Sequence, residues 1–197
     1  MLWRGYFDPA TQQQLVSDVF ELAGCAPFYC PRMPRSGKRF SVEETNFGSL
    51  GWYSDKTGYR YETTHPCTRQ PWPEIPELLD RAWDAVCDYP APAECCLVNL
   101  YRNGARMGLH QDRDEQALDA PVLSVSLGDR AVFRIGGTQR RDPTASLALQ
   151  SGDVLVFGGV ARFAYHGIDR VFAGTSLLVP GGGRISLTLR RVTQPRK

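Results

Sequence analysis

The sequence lacks the features that mark exported, membrane-spanning or zinc-stabilised proteins. Its first residues, MLWRGYFDPA, contain no apolar core of a signal peptide, and no apolar run is long enough to cross a bilayer. None of its six cysteines forms a CxxC pair, and no histidine lies at the spacing that would complete a zinc finger. We therefore expect a cytoplasmic protein with reduced thiols and no membrane attachment.

A strong overall charge is also missing. The formal net charge is only +2 over 197 residues, so bulk electrostatics do not indicate a nucleic-acid-binding protein. The positive residues are clustered instead, at residues 32–39, at Arg140 and Arg141, and at residues 190–197. Such clusters are usually solvated loops, and the alternative is contact with a nucleic acid.

No repeat, low-complexity stretch or clear linker divides the chain, and its length is ordinary for one domain. We therefore predict a single domain over residues 1–197, in a protein that is a monomer.

The helical signals lie in the first half of the chain. Asp8 can cap a helix that has Pro9 at its first position, and apolar residues recur at helical spacing as far as residue 24. A second helix is predicted over residues 73–87, with Trp83 on its apolar face and therefore in the core. Residues 41–52 and 59–62 are predicted strand fragments, and His65 is expected on the surface or in a loop.

The second half consists of short apolar segments separated by glycine-rich turns. This spacing predicts a β-sandwich or jelly roll. The predicted strands are LVNLY, MGLHQD, VLSVSLG, AVFRIGG, SLALQ, DVLVFGG, FAYHG, TSLLVP and RISLTLRRV.

Residues 97–114 contain the strongest sign of chemistry. A strand over residues 97–101 would place Asn99 on the same face as Leu97 and Tyr101. Asparagine is a poor strand former, so its presence at this position indicates a polar role. In an extended segment His110 and Asp112 point the same way. An HxD pair alone is weak evidence, because most such pairs bind nothing. With the distant His166 it gives the 2-His-1-carboxylate triad, which suits non-heme Fe(II) and leaves coordination positions open.

The last predicted strand carries two arginines on the face opposite its apolar residues. Arg184, Ser186, Thr188 and Arg190 share this face. The arginines are either solvated or, beside a metal triad, planar donors for a dicarboxylate.

An aromatic cluster lies close in sequence to the first basic segment. It contains Trp52, Tyr53, Tyr59 and Tyr61. A packed hairpin is one interpretation. The other is a surface on which unpaired bases stack while basic neighbours hold phosphates.

Several motifs occur together and in order over the second half of the chain, and looser ones precede them. They are L-G-W (50–52), Gly58-Tyr59 with Tyr61, P-W-P (71–73), N-x-Y (Asn99, Tyr101), H-Q-D-x-D (His110, Asp112, Asp114), S-V-S-L-G (124–128), G-D-V-x-V-x-G-G (152–159), Y-H-G (165–167) and R-x-S-L-T-x-R (Arg184–Arg190). Together they resemble the AlkB family of Fe(II)/2-oxoglutarate-dependent dioxygenases, the oxidative dealkylation repair enzymes.

The resemblance implies a β-rich α+β fold. Residues 97–197 would form a double-stranded β-helix, or jelly roll, that contains the catalytic core. Residues 1–96 would supply two buttressing helices and a nucleotide-recognition lid.

The resemblance also implies the cofactors. His110, Asp112 and His166 would bind Fe(II), with 2-oxoglutarate at two open positions and O2 at the last. Arg184 would anchor the far carboxylate of 2-oxoglutarate. Arg190 starts about 20 Å further along an ideal strand, so it would support the metal-side carboxylate or Asp112.

The remaining cosubstrate contacts follow from the same motifs. Asn99 and Tyr101 match the family's hydrogen-bonding partners of 2-oxoglutarate. Ser186 stands where the family's bacterial prototype has asparagine, and its shorter hydroxyl can still form a hydrogen bond.

For the substrate, the resemblance implies that Trp52, Tyr59 and Tyr61 contact the damaged base or its phosphates. Asp114 matches an acid near the base, although a solvated turn aspartate is the alternative, and Arg140 matches an arginine near the substrate backbone. A carboxylate favours a cationic methylated base.

The implied reaction is oxidative demethylation of 1-methyladenine and 3-methylcytosine types of base, which consumes 2-oxoglutarate and releases succinate and formaldehyde. A base must leave the duplex to react, so single-stranded DNA is the expected partner. The alternatives are a methylated tRNA or other RNA base, a protein side chain, or a non-catalytic jelly-roll binding module.

Overall fold

The computed structural model describes residues 1–195. Arg196 and Lys197, the end of the C-terminal basic cluster, lie outside the described residues. The described chain forms β1 (Leu2–Trp3), α1 (Pro9–Leu22), β2 (Glu43–Phe47), β3 (Gly51–Asp55), β4 (Gly58–Glu62), α2 (Glu77–Val86), β5 (Cys95–Tyr101), β6 (Met107–His110), β7 (Val122–Gly128), β8 (Ala131–Ile135), β9 (Ala145–Leu149), β10 (Val154–Phe157), a 3-10 turn (Gly159–Ala161), β11 (His166–Val171) and β12 (Arg184–Arg190).

Two antiparallel sheets and a hairpin account for the strands of residues 1–195. The large sheet has the order β1-β10-β7-β12-β5-β2, and the small sheet has the order β6-β11-β8-β9. The pair β3–β4 is a separate hairpin, which we call the lid hairpin. This arrangement confirms the predicted β-rich jelly roll with two N-terminal helices.

Two apolar clusters hold the layers together. In one, Leu15 of α1 and Leu79 of α2 pack with Ile185 of β12, so both helices cover one face of the large sheet. In the other, Tyr101 of the large sheet packs with Phe133 of the small sheet. The helices, the large sheet and the small sheet are therefore three successive layers.

The alternation predicted for the central strands is observed. In β5, Val98 and Leu100 face the helices, while Tyr101 faces the small sheet. Because the side-chain period of a strand is two, Asn99 shares the inward face with Tyr101. The residues of β5 and β12 are buried on both faces of the sheet.

The first helix begins as predicted, since Asp8 Oδ1 accepts a hydrogen bond from Thr11 N at 2.7 Å. The second begins at Glu77, later than the predicted residue 73. The reason is Pro76, which lies at the N-cap in an extended conformation and disfavours helical geometry in the residue before it.

One predicted strand is wrong. Residues 175–180, TSLLVP, form a loop in which Leu177 is 98 % exposed. The buried Asp129 carboxylate accepts hydrogen bonds from the main-chain N–H groups of Gly174, Ser176 and Gly183. These hydrogen bonds satisfy main-chain N–H groups of the loop, so the segment needs no neighbouring strand.

His65 was predicted on the surface or in a loop, and it lies in a loop. The surface alternative is excluded, because His65 has no exposed area. Its Nδ1 accepts from the main-chain N–H groups of Cys67 and Thr68, both at 3.1 Å, and its Nε2 lies 2.8 Å from Pro27 O. His65 therefore fixes a turn and has no part in the cavity described below. Within residues 1–195, no helix is long and apolar enough to cross a membrane.

Candidate active site

A cavity of about 760 Å³ lies between the two sheets and opens toward the lid hairpin. Strands of both sheets form its walls, and residues 33–42 with the lid hairpin border its mouth. Its lining includes Val42, Glu44, Trp52, Tyr59, Leu97, Asn99, Tyr101, Met107, Gly108, Leu109, His110, Asp112, Asp114, Glu115, Ser124, Phe133, Arg140, Phe157, His166, Ser186, Thr188 and Arg190.

The three predicted metal ligands meet in this cavity. His110 ends β6, His166 begins β11, and the two residues are register partners in the small sheet. His110 Nε2 lies 3.7 Å from Asp112 Oδ1, and His166 Nε2 lies 3.9 Å from Asp112 Oδ2. The candidate ligand atoms all lie within 4.8 Å of one another.

The orientation of both imidazole rings suits a metal. His110 Nδ1 lies 3.0 Å from Gly108 O, and His166 Nδ1 lies 3.0 Å from Ala164 O. Because a carbonyl only accepts, Nδ1 carries the proton in each ring and Nε2 is left as the ligand atom. Two Nε2 atoms and a carboxylate on one side fit Fe(II), with further positions left for other ligands.

The charges around Asp112 and His166 also favour metal binding. Burial alone would raise the pKa of Asp112, but the Arg190 guanidinium and the two histidines outweigh it and hold that pKa well below its usual range. Burial lowers the pKa of His166 to about 4. Asp112 is therefore an anion and His166 is neutral at pH 7, which is the protonation state that metal ligands need.

Arg190 holds the carboxylate in place, as one of its two predicted roles requires. Its Nε and Nη2 donate to Asp112 Oδ2 at 3.1 and 2.9 Å. The side chain is buried, so the solvated alternative is excluded for this arginine.

A second layer behind Asp112 was not predicted from the sequence. The buried Arg162 donates to Asp112 O at 2.7 Å, to Ala120 O at 2.9 Å and to Glu115 Oε2 at 3.0 Å. Glu115 Oε1 lies 3.4 Å from Arg190 Nε, so the carboxylate bridges the two arginines. Glu115 could have been identified because it is close to Asp112 in sequence. Nothing in the sequence indicated that Arg162 supports the site.

Tyr61 belongs to this layer, which corrects the prediction that it contacts substrate. Its hydroxyl donates to Glu115 Oε1, and its ring packs with the cluster of Cys95, Leu97 and Val192. Tyr61 lies off the cavity wall. It links the lid hairpin to the support of the metal ligands.

The predicted cosubstrate residues are on adjacent strands of the large sheet. Asn99 and Ser186 are register partners on β5 and β12, and both line the cavity with Tyr101. Ser186 Oγ lies 3.1 Å from Ser124 Oγ. The shorter side chain at Ser186 therefore has a hydroxyl partner on β7.

Arg184 begins β12 and lies on the same strand face as Ser186, two residues away. It is the register partner of Tyr101, is fully buried, and donates from Nη2 to Ser126 Oγ at 2.8 Å. Within the described part of the chain, its Nε and Nη1 have no hydrogen-bonding partner, and neither does Asn99 Oδ1. Burial lowers the pKa of Arg184 to about 10, so it remains a cation. A buried cation with unused donors fits the carboxylate of a small anion such as 2-oxoglutarate.

The predicted base-contacting residues border the mouth of the cavity. The rings of Trp52 and Tyr59 are stacked, with centroids 5.5 Å apart and an interplanar angle of 21°. Trp52 Nε1 donates to Asp114 Oδ2 at 2.9 Å, so Asp114 is not a free turn residue. Arg140 Nη1 donates to Leu109 O at 3.0 Å, and the Arg140 side chain lines the cavity. Lys38, Arg39 and Arg106 add positive charge to the lining.

Glu44 is a further lining residue that the sequence analysis did not identify. It lies on β2, is fully buried, and is the register partner of Asn99. The alternation in S-V-E-E-T-N could have indicated it, because Glu44 shares a strand face with the buried Val42.

Comparison with known proteins gives consistent results. A profile described as the 2OG-Fe(II) oxygenase superfamily matches residues 1–190. The chain is 56 % identical over 190 residues to an alpha-ketoglutarate-dependent dioxygenase AlkB homolog of Caulobacter vibrioides, covering 96 % of this chain and 86 % of that protein. It is 43 % identical over 166 residues to the alpha-ketoglutarate-dependent dioxygenase AlkB of Escherichia coli, covering 82 % and 76 %. The solved structure of OsALKBH1 superposes with a TM-score of 0.82 at 30 % identity, covering 96 % of this chain and 95 % of that one.

Proposed function

Because this chain belongs to the 2OG-Fe(II) oxygenase superfamily and to the AlkB dioxygenases within it, we propose that it demethylates N-alkylated bases in single-stranded DNA. The bases are of the 1-methyladenine and 3-methylcytosine type. One observation carries the proposal: a single cavity joins the His110–Asp112–His166 triad to the stacked pair Trp52 and Tyr59 at its mouth.

The enzyme is a dioxygenase that uses Fe(II), 2-oxoglutarate and O2, and its own residues bind and orient them. His110, Asp112 and His166 would hold Fe(II), while Arg190 would keep Asp112 anionic and in place. When bound, Fe(II) with 2-oxoglutarate and O2 supplies the oxidation, in which 2-oxoglutarate yields succinate and CO2 and an N-methyl group is hydroxylated and lost as formaldehyde.

The cosubstrate would lie over β5 and β12. Asn99, Tyr101 and Ser186 would hydrogen-bond it, and the unused donors of Arg184 would bind its far carboxylate. A buried guanidinium gives strong, directional hydrogen bonds to a carboxylate.

The target base would enter past the lid hairpin. Trp52 and Tyr59 present aromatic faces on which an unpaired base can stack. Asp114 would face a cationic methylated base, and Arg140 would contact the strand backbone near the cavity mouth. An unpaired base avoids the cost of extrusion from a duplex, which favours the single strand.

The test is a turnover panel with the enzyme loaded with Fe(II) and 2-oxoglutarate. Oligonucleotides of DNA and RNA, single- and double-stranded, carry one defined methylated base, and formaldehyde and succinate are measured together. We expect equal amounts of the two products with 1-methyladenine and 3-methylcytosine in single-stranded DNA.

The alternatives give other results in the same panel. Turnover of methylated RNA with no turnover of DNA would replace the substrate, because only the 2′-hydroxyl separates the two at a given site. Succinate production unaffected by every oligonucleotide would favour a protein side chain. No succinate under any condition would favour a binding module.

We also propose that residues 1–96 and 97–197 act as one domain. Strand β2 of the first part pairs with β5 of the second, and the cluster around Leu15 includes Ile185. A single cooperative unfolding transition would support this proposal.

The six cysteines are free in the described chain, which is consistent with a reducing, cytoplasmic location. A monomer is expected in light scattering.

A further inference from the structure

Glu44 is a buried carboxyl group that the proposed mechanism does not use. It lies on the cavity wall with no exposed area. Neither of its side-chain oxygens has a hydrogen-bonding partner among residues 1–195. This contrasts with Asp112 and Glu115 in the same cavity, which are held by arginines.

An unpartnered buried carboxyl destabilises the folded protein, so its presence calls for a ligand. Burial raises the pKa of Glu44 to about 8, although the charge of Arg190 opposes the rise. At neutral pH the group is therefore mostly protonated and offers one donor and one acceptor to the cavity. A cation brought next to it would favour the ionised form.

The position of Glu44 assigns it to the substrate half of the cavity. In the large sheet, β2 is the edge strand next to β5, while the cosubstrate residues lie on β5 and β12. Just beyond β2 the chain enters the lid hairpin, which carries Trp52. Glu44 thus lies between Asn99, its register partner, and the residues that border the mouth.

We propose that Glu44 is a specificity-determining residue that binds the exocyclic amino group of the target base. The proposal rests on the function proposed above and extends it to a residue that the sequence motifs did not include. It adds a second acid to the one at Asp114, which is already engaged by Trp52.

The chemistry of the bases gives this contact its selectivity. 1-Methyladenine and 3-methylcytosine are cations with an amino group beside the methylated nitrogen. 3-Methylthymine is neutral and has only carbonyl oxygens beside its methylated nitrogen, and 1-methylguanine is neutral with a carbonyl oxygen on one side and an amino group on the other. With the first pair Glu44 forms a charge-assisted hydrogen bond, which is about twice as strong as a neutral one. With the second pair it forms only a neutral hydrogen bond.

The experiment compares four proteins on the same single-stranded DNA: the natural chain, Glu44→Gln, Glu44→Met and Glu43→Gln. Glutamine keeps the shape without the charge, and methionine removes both charge and hydrogen bond. Glu43 is the matched control, because it precedes Glu44 on β2, so its side chain points to the opposite face of the strand, and it does not line the cavity. kcat/KM is measured for each of the four methylated bases.

We expect the ratio of kcat/KM for 3-methylcytosine to that for 3-methylthymine to fall about tenfold in Glu44→Gln. A larger fall is expected in Glu44→Met, and no change in Glu43→Gln. If Glu44→Gln does not fold, Glu44→Met carries the same comparison, since apolar volume suits a buried site.

Two results would overturn the inference, and they differ from each other. A loss of the same factor on all four bases would show that Glu44 has a structural role only, while leaving the proposed function intact. A natural enzyme that produces succinate but demethylates none of the four bases would overturn the proposed function and this inference together.

Discussion

Arg190 donates two hydrogen bonds to one oxygen of Asp112, from Nε at 3.1 Å and from Nη2 at 2.9 Å, and both side chains are buried. This pair joins the end of β12 to a metal ligand on the loop after β6. The remaining oxygen, Oδ1, faces His110 at 3.7 Å. Arg190 thus leaves one carboxylate oxygen directed at the metal position.

Removal of Arg190 should damage the metal site and the fold. Arg190→Met leaves Asp112 and Glu115 as buried charges with fewer partners, and loss of one member of such a pair costs about 3–5 kcal/mol. We expect a lower free energy of unfolding and weaker Fe(II) binding, measured by urea denaturation and metal titration. Arg170→Met, at an exposed arginine, is the control. Equal stability of the two variants would contradict the role of Arg190.

The three ligands should each be required for iron. Asp112→Ala and His110→Ala should bind no Fe(II) and should form no succinate above background, because two ligands cannot hold the ion on one face. Iron content after desalting and succinate yield are the measurements. Asp84→Ala, on the exposed side of α2, should behave as the natural protein. Near-normal turnover in either ligand variant would refute the assignment.

Arg184 should recognise the far carboxylate of 2-oxoglutarate. Arg184→Met should raise KM for 2-oxoglutarate roughly 10- to 100-fold, the worth of hydrogen bonds to a buried charge. The matched probe is 2-oxobutyrate, which lacks that carboxylate. 2-Oxobutyrate should bind more weakly than 2-oxoglutarate, and its KM should be similar in the natural enzyme and in Arg184→Met. If both cosubstrates lose affinity by the same factor, Arg184 acts only through packing.

Trp52 should contribute mainly to substrate binding. Trp52→Ala removes the ring that stacks on Tyr59, and a base–aromatic contact is worth about 1–3 kcal/mol. We expect a higher KM for methylated oligonucleotide with a smaller change in kcat. Tyr6→Ala, at a part-exposed aromatic that does not line the cavity, is the control. An unchanged KM in Trp52→Ala would remove the lid hairpin from base recognition.

Glu44 should make stability depend on pH. Its pKa is about 8 in the folded protein and 4.5 as the ordinary value, so between these values the unfolded chain has lost a proton that the folded chain retains. Stability from this group therefore falls as pH rises from about 5 to 8, by up to about 1.4 kcal/mol per pH unit. The advantage of Glu44→Gln over the natural protein in urea unfolding should grow over that range and level off above pH 8. Parallel profiles for the two proteins would contradict a buried, unpartnered carboxyl.

The sequence alone predicted the features that depend on local periodicity and on motif spacing. Asp8 and Pro9 mark the start of α1 because a cap acts within one turn of helix. The two faces of β5 and β12 follow from a period of two, which any extended segment obeys. The three metal ligands could be identified because residue type and order are enough to indicate a 2-His-1-carboxylate set. They are His110, Asp112 and His166.

The remaining features depended on which distant segments became neighbours. Glu44 faces the cavity only because β2 pairs with β5. Tyr61 lies off the cavity wall, where its hydroxyl donates a hydrogen bond to Glu115. Arg162 supports Asp112 across 50 residues of chain, through a contact that no local pattern encodes. Residue type and spacing thus determined the ligands and the strand faces. Tertiary packing decided which polar groups are satisfied and which remain free to bind, because a hydrogen bond depends on the position of both partners.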